Sequence, residues 1–165
     1  MSKKTFLLTG GAGFIGSTLI RLVFDKTKHG IVNIDKLTYA GSNESLLGLI
    51  SESNYKFIKG DICDYKLIKT ILDDYKPDYV VNFAAESHVD RSIDYPLEFV
   101  MDNVVGTANI LDYARNLDNL DMFAYFSTDE VFGPAPGDIK YKENDRYNST
   151  NPYSATKAGA EELVV

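Results

Sequence analysis

The chain has 165 residues, 44% of them hydrophobic and 25% charged, with a formal net charge of −7. That is enough for one domain with a true core, and the acidic balance argues against a nucleic-acid or anionic-membrane surface. No apolar run approaches bilayer-spanning length, and a single cysteine, Cys63, excludes an internal disulfide and points to a reducing, cytoplasmic compartment.

In chain order, Thr5 to Thr9 reads as a short buried strand. The run Phe6-Leu7-Leu8 is broken by Thr9-Gly10 and is too short for a secretory signal. Gly10 to Gly16 is a turn, and Ile15, Leu19, Ile20, Leu22 and Val23 recur at helical spacing, which predicts a helix to Lys26. A second strand spans Ile31 to Ile34 and ends at Asp35. A short helix is expected around Asn43 to Ile50, and a third strand from Tyr55 to Ile58.

Asp64 is placed to cap the next helix, which Lys76-Pro77-Asp78 stops. Tyr79 to Phe83 is a fourth strand, Leu97 to Asn116 a long helix, and Met122 to Phe126 a fifth strand. Gly133 to Asn151 holds two of the five prolines and much of the polarity, and reads as a surface loop. Pro152 opens the last helix. Strands alternating with helices give an α/β fold, a doubly wound parallel sheet of the Rossmann-like kind. The last helix ends on Leu163-Val164-Val165, where a crossover helix would feed another strand. The expectation is therefore the front part of a longer protein, folded as one domain over residues 1–165.

Gly10, Gly13 and Gly16 follow a strand and open a helix. Glycines permit the tight turn and let the backbone approach a pyrophosphate, which a helix N-terminus stabilises. Three glycines could also serve a turn with no ligand, but the strand–turn–helix context favours a dinucleotide. Asp35 ends the second strand, where a carboxylate accepts hydrogen bonds from ribose hydroxyls and repels a 2′-phosphate, so NAD is favoured over NADP. Phe14 and Ile15 at the helix start, and Lys36 and Thr38 after Asp35, join the expected cofactor set, although Lys36 by itself pulls toward a phosphate. Asp61 and Ile62 follow the third strand, beside the adenine position; a turn or capping role for Asp61 is nearly as good. Ala84 and Ala85 follow the fourth strand, either to let the cofactor pass or for packing. A structural hydrogen bond is expected of His88.

Tyr153 and Lys157 lie four apart on a helix and share a face. A nearby ammonium favours the phenolate and brings a tyrosine toward use as a base. The same lysine can hold a nicotinamide ribose. Thr128, at the carboxyl end of the fifth strand, can bond the same substrate hydroxyl as Tyr153. Beside it stand Asp129 and Glu130, two adjacent carboxyls that a simple dehydrogenase does not need. They suggest a second chemical step. An exposed acidic turn is the plainer alternative.

Together these residues resemble the extended short-chain dehydrogenase/reductase superfamily over essentially the whole chain. Within it, Ser127-Thr128-Asp129-Glu130-Val131-Phe132-Gly133, Asn82 to Ser92 and Asn151 to Glu161 resemble the dTDP-glucose 4,6-dehydratase family. The resemblance implies bound NAD, no metal, and catalytic Thr128, Asp129, Glu130, Tyr153 and Lys157, with Ser87 and Thr128 on the substrate. It implies that Tyr153 deprotonates the sugar 4-hydroxyl while hydride passes to NAD. Glu130 would then take the carbon 5 proton, Asp129 would protonate the leaving 6-hydroxyl, and hydride would return to carbon 6.

The family is longer than this chain, and its later part supplies most of the nucleotide-sugar pocket. This part alone is therefore expected to turn over poorly. A homodimer through Leu97–Asn116 and Pro152–Val165 is implied for the full-length protein. The long helix offers Val100, Val104, Thr107 and Leu111 as a stripe that fits a partner or the sheet equally. The pathway implied is deoxysugar supply of the dTDP-rhamnose kind. Other readings are a related NDP-sugar 4,6-dehydratase or 4-epimerase, and a non-catalytic NAD-sensing domain.

Overall fold

The structure is a computed structural model that describes residues 2–165, the side chain of Asn43 excepted. Its contacts divide it into two compact units. The first takes the chain up to Ala84 together with Asn109–Phe126, and the second takes Ala85–Ala108 and Ser127–Val165.

The first unit holds the sheet. Strands β1 (Thr5–Thr9), β2 (Gly30–Asp35), β3 (Tyr55–Lys59), β4 (Tyr79–Asn82) and β5 (Met122–Tyr125) lie in the order β3-β2-β1-β4-β5. Every pairing is parallel, with Leu7 of β1 between Val32 of β2 and Val80 of β4. The strands fall within a residue or two of the sequence expectation, because each is an apolar run bounded by Gly, Asp or Pro. Leu7 and Leu8 are both fully buried, as neighbours on opposite faces must be when a parallel sheet is covered on both sides. Leu7 packs with Val32, Val80, Ile68, Leu72 and Ile110, and Leu8 with Ile20, Ile31, Leu46, Tyr55 and Val81.

Helix α1 (Phe14–Lys26) supplies Ile20 and Val23 to one layer, and α2 (Tyr65–Tyr75) supplies Ile68, Ile71 and Leu72 to the other. Asp64 caps α2 as expected, its Oδ1 accepting the Leu67 amide at 3.0 Å. The expected helix near Asn43 is a 3₁₀ segment, Asn43–Leu49. The strand order reverses between β1 and β4, so their carboxyl ends, Thr9-Gly10 and Asn82 to Ala84, flank the switch point where such sheets bind ligands.

The second unit contains no strand among the described residues. The expected helix Leu97–Asn116 is not uniform. It begins as α4 (Pro96–Phe99), widens into a π-helical stretch over Val100–Val105, and continues as α5 (Gly106–Ala114). The wider turn rotates the following residues about the axis. Of the anticipated stripe Val100, Val104, Thr107 and Leu111, only Thr107 is buried, and the buried line runs instead through Phe99, Asn103 and Thr107.

An unanticipated helix, α3 (Val89–Asp94), precedes it, and His88 caps it with Nδ1 accepting the Arg91 amide at 3.5 Å. That is the structural bond expected of His88. A second unanticipated element is the 3₁₀ turn Asp129–Phe132. The loop after it is irregular as expected, and it is tied down. Asn148 N donates to Val131 O at 2.8 Å, and Phe132 stacks on Tyr141 and meets Tyr147 edge-on. The last helix, α6 (Pro152–Val164), starts where Pro152 places it. Among the described residues, no helix is long and apolar enough to cross a membrane.

Candidate active site

In the first unit, the turn after β1 is built around missing side chains. Gly10 has φ 67, and a Cβ there would sit 2.7 Å from the Ala84 amide nitrogen. A Cβ on Gly16 would sit 2.5 Å from the Gly10 carbonyl oxygen. The turn therefore closes only on glycine. Gly13 is the N-cap of α1 and offers no side-chain acceptor, and the first turn of α1 carries no acid. The amides and the dipole at that end are left for an external anion. Phe14 and Ile15 are exposed beside it.

Asp35 stands at the end of β2 as expected, and its carboxylate has prior partners. Oδ2 accepts the Ala12 amide at 2.9 Å and Oδ1 the Leu37 amide at 2.8 Å. Asp35 thus braces the glycine turn and holds Leu37 at φ 58, a conformation that a leucine adopts only under constraint. Each carboxylate oxygen keeps a further acceptor site. Lys36 Nζ lies 3.8 Å from Asp61 Oδ2, and Asp61 Oδ1 accepts the Cys63 amide at 2.8 Å, so the turn role of Asp61 is realised. The Thr38 carbonyl accepts the Gly41 amide at 3.2 Å. Ile62 is a core side chain whose carbonyl accepts from Asn109 at 3.2 Å. The Ala84 amide donates to Thr9 Oγ1 at 3.2 Å, fixing the end of β4 to that of β1.

The second unit gathers the expected catalytic residues. Thr128 caps the 3₁₀ turn, its Oγ1 accepting the Glu130 amide at 3.3 Å and lying 3.5 Å from Asp129 Oδ1. Glu130 Oε2 accepts from Asn151 Nδ2 at 3.1 Å. Tyr153 sits in the first turn of α6, half-buried, with its ring edge-on to Phe99 at 6.5 Å. Burial holds the Tyr153 phenol above its usual value; the Thr128 hydroxyl bonded to it works downward, and Glu130 and Asp129 push upward. The phenol thus feels all three residues the sequence singled out. The Tyr–Lys spacing suggests a lowered phenol; in the structure burial, the largest effect, raises it instead.

Lys157 is buried to 3% exposure, which pulls its ammonium down to about 8, while Glu161 one turn later works against the fall. Glu161 is itself held by Tyr147, whose hydroxyl donates to Oε1 at 2.7 Å; that carboxylate raises the phenol of Tyr147 to about 12.

Three further residues receive no individual role from the motifs. Asn103, fully buried in the π-helical stretch, accepts the Glu86 amide at 2.8 Å and donates to the Glu86 carbonyl and to Thr156 Oγ1, both at 3.0 Å. Thr156 in turn donates to the Tyr153 carbonyl at 2.8 Å. The segment Ala85-Glu86-Ser87 is thereby fixed to α6, with Ser87 exposed. Asn151 and Glu161 are the others. The Asn-Pro step with Ser154 three residues later is the one signal that marks Asn151. The second unit thus holds Ala85, Ser87, Thr128, Asp129, Glu130, Tyr153 and Lys157, and the first holds Gly10, Gly13, Phe14, Ile15, Gly16, Asp35, Lys36, Thr38, Asp61, Ile62 and Ala84.

The family described as GDP-mannose 4,6 dehydratase matches residues 7–165. The low-salt glycan biosynthesis protein Agl12 of Haloferax volcanii is 49% identical over 158 residues, covering 96% of this chain and 50% of that protein. A dTDP-glucose 4,6-dehydratase of Neisseria gonorrhoeae is 43% identical over 171 residues, covering 98% and 49%. The crystal structure of DesIV, a dTDP-glucose 4,6-dehydratase from Streptomyces venezuelae with NAD and TYD bound, superposes with a TM-score of 0.89 at 36% identity, covering 96% of this chain and 50% of that one. The chain spans about half the length of the curated relatives it matches.

Proposed function

This chain belongs to the family described as GDP-mannose 4,6 dehydratase, and we propose that it is the NAD-binding and catalytic part of a dTDP-glucose 4,6-dehydratase. The observation that carries the reading is that the Tyr153 phenol is bonded to the Thr128 hydroxyl and lies in the field of Asp129 and Glu130. A redox site needs the hydroxyl and the phenol; the two carboxyls add a general base and a general acid.

The residues present fit NAD. The turn at Gly10 and Gly16 is one that a Cβ would fill, the α1 N-terminus is uncapped, and Asp35 keeps acceptor sites for ribose hydroxyls. Gly10, Gly13, Gly16, Phe14 and Ile15 would hold its pyrophosphate, Asp35, Lys36 and Thr38 its adenosine ribose, Asp61 and Ile62 its adenine, and Ala84 and Ala85 its middle. Lys157 would hold the nicotinamide ribose. When bound, NAD supplies hydride acceptance at carbon 4 of the sugar and hydride return at carbon 6.

The chain's own groups move the protons. Tyr153 takes the proton of the 4-hydroxyl, with Thr128 bonded to the same oxygen and Ser87 placed to bind the sugar. The resulting 4-ketone acidifies carbon 5, from which Glu130 takes a proton. Asp129 gives a proton to the departing 6-hydroxyl, and water leaves. A protonated Asp129 also removes one of the two charges that raise the Tyr153 phenol.

The full-length protein supplied with NAD and dTDP-glucose is expected to form the 4-keto-6-deoxy sugar, identified by NMR. Formation of only the 4-epimer would replace this reading with an epimerase. Bound NAD with no nucleotide sugar consumed would favour a sensing role. The full-length protein is further expected to be a cytoplasmic homodimer. Leu97, Val100 and Met101, all exposed, lie on one helical face, and Leu163 is exposed on α6. Light scattering tests the dimer.

A further inference from the structure

The two adjacent carboxyls have different neighbours, and Asn151 is the one that holds Glu130. Its Oδ1 accepts the Ser154 amide at 2.8 Å, closing the cap of α6, while its own amide donates to Ser154 Oγ at 3.4 Å. A backbone N–H only donates, so the oxygen end of the Asn151 amide must face Ser154. The other end is then the NH₂ group, and it lies 3.1 Å from Glu130 Oε2. An amide NH₂ is a donor with no acceptor capacity. Glu130 Oε2 therefore accepts, and a proton on that oxygen would confront the NH₂ hydrogens. The Glu130 backbone is fixed as well, its amide donating to Thr128 Oγ1 at 3.3 Å and its carbonyl accepting from Gly133 at 3.0 Å. Asp129 has a different neighbour, the Thr128 hydroxyl at 3.5 Å, which can donate or accept.

We propose that Asn151 is a positioning residue for Glu130 as the base: the helix cap orients its amide, and the amide holds Oε2 as an acceptor, leaving Oε1 to take the proton from carbon 5 of the sugar. In balance, the C5–H pair of electrons forms the C5=C6 bond, the C6–O bond breaks, the C5 proton ends on Glu130, and the Asp129 proton leaves with the hydroxyl as water. The inference rests on the dehydratase reading above.

The test uses the full-length protein with dTDP-glucose and its carbon-5-deuterated form. Serine and aspartate are both good helix caps, so Asn151→Ser and Asn151→Asp keep the Ser154 contact and alter only what faces Glu130. Asn151→Ser is expected to lower kcat about tenfold with KM little changed, and Asn151→Asp, which sets an anion against the base, by about a hundredfold. The deuterium effect on kcat should rise in both, because proton removal from carbon 5 becomes slower. A helix cap alone would not move that effect. Wild-type kcat and isotope effect in Asn151→Ser overturn the proposal, as does a fall in kcat that follows a lowered unfolding temperature with no rise in the isotope effect. A readout independent of turnover is solvent exchange of the Asn151 side-chain protons by NMR. Exchange should quicken in Glu130→Ala, and unchanged exchange removes the contact itself. Wild-type protein that yields no 4-keto-6-deoxy sugar would sink the dehydratase reading instead, and the exchange measurement would still decide the contact.

Discussion

The two units solve different problems with different parts of the residue. The first is a five-stranded sheet with an apolar core on each face, and its glycine turn, proposed to hold NAD, offers backbone amides and the space of side chains that are absent. The second has no strand among its described residues and buries Glu86, Ser92, Asn103, Thr107, Ser154, Thr156 and Lys157. Buried polar groups are costly unless paired; Asn103 donates to Thr156, Thr156 to the Tyr153 carbonyl, and Ser154 to Asn151. Binding by shape tolerates little added volume, whereas binding and chemistry by side chain tolerate little change of group. Substitutions in the two units should therefore fail in different ways.

The largest separation is expected from Glu130→Gln in the full-length protein. Loss of a general base lowers kcat by about 10²- to 10⁴-fold, while NAD affinity and unfolding temperature stay at wild-type values. A parallel loss of NAD affinity, measured by calorimetry, would break the division of labour.

Next is Lys157→Met. The ammonium is depressed from 10.5 to about 8 by burial, and at about 1.4 kcal/mol per unit the charged form costs the fold about 3 kcal/mol at pH 7. The folded value lies below the unfolded one, so wild-type stability is lowest below about pH 8, rises between about 8 and 10.5, and levels above that. The methionine variant should be more stable at neutral pH and inactive, and its advantage should vanish as pH climbs through that window, read by urea denaturation.

Gly16→Ala places a Cβ 2.5 Å from the Gly10 carbonyl and should cost about 2 kcal/mol. It should weaken NAD binding, with kcat recovering at saturating NAD. Tyr147→Phe removes one hydrogen bond to Glu161 and should cost about 1 kcal/mol in thermal unfolding. By freeing the charge that supports Lys157, it also tests whether the loop matters to the site.

Much of the first unit is legible in the sequence, because a parallel strand is a local signal: an apolar run closed by Gly10, Asp35 or Asp61, or preceded by Pro77, needs no distant partner to be recognised. The place of Asp35 is legible for the same reason, but its grip on Ala12 and Leu37 is not, since nothing near residue 35 names residue 12. The second unit is legible only at its motifs. Thr128, Asp129, Glu130, Tyr153 and Lys157 stand out by type and spacing. Asn151 and Asn103 do not, because an asparagine has many local fates and these meet partners 21 and 53 residues away. The π-helical stretch was hidden because Val100 to Val105 has ordinary helical periodicity, and the widened turn is anchored by the buried Asn103 rather than by any local breaker.

The central claim is that the paired carboxyls of the second unit perform an elimination on the sugar that the Tyr153 site oxidises. The most direct measurement is NMR of the product formed by the full-length protein from dTDP-glucose in deuterated water. The account expects a methyl group at carbon 6 and solvent deuterium at carbon 5. A sugar inverted at carbon 4, with its carbon 5 hydrogen and its 6-hydroxyl retained, would contradict it.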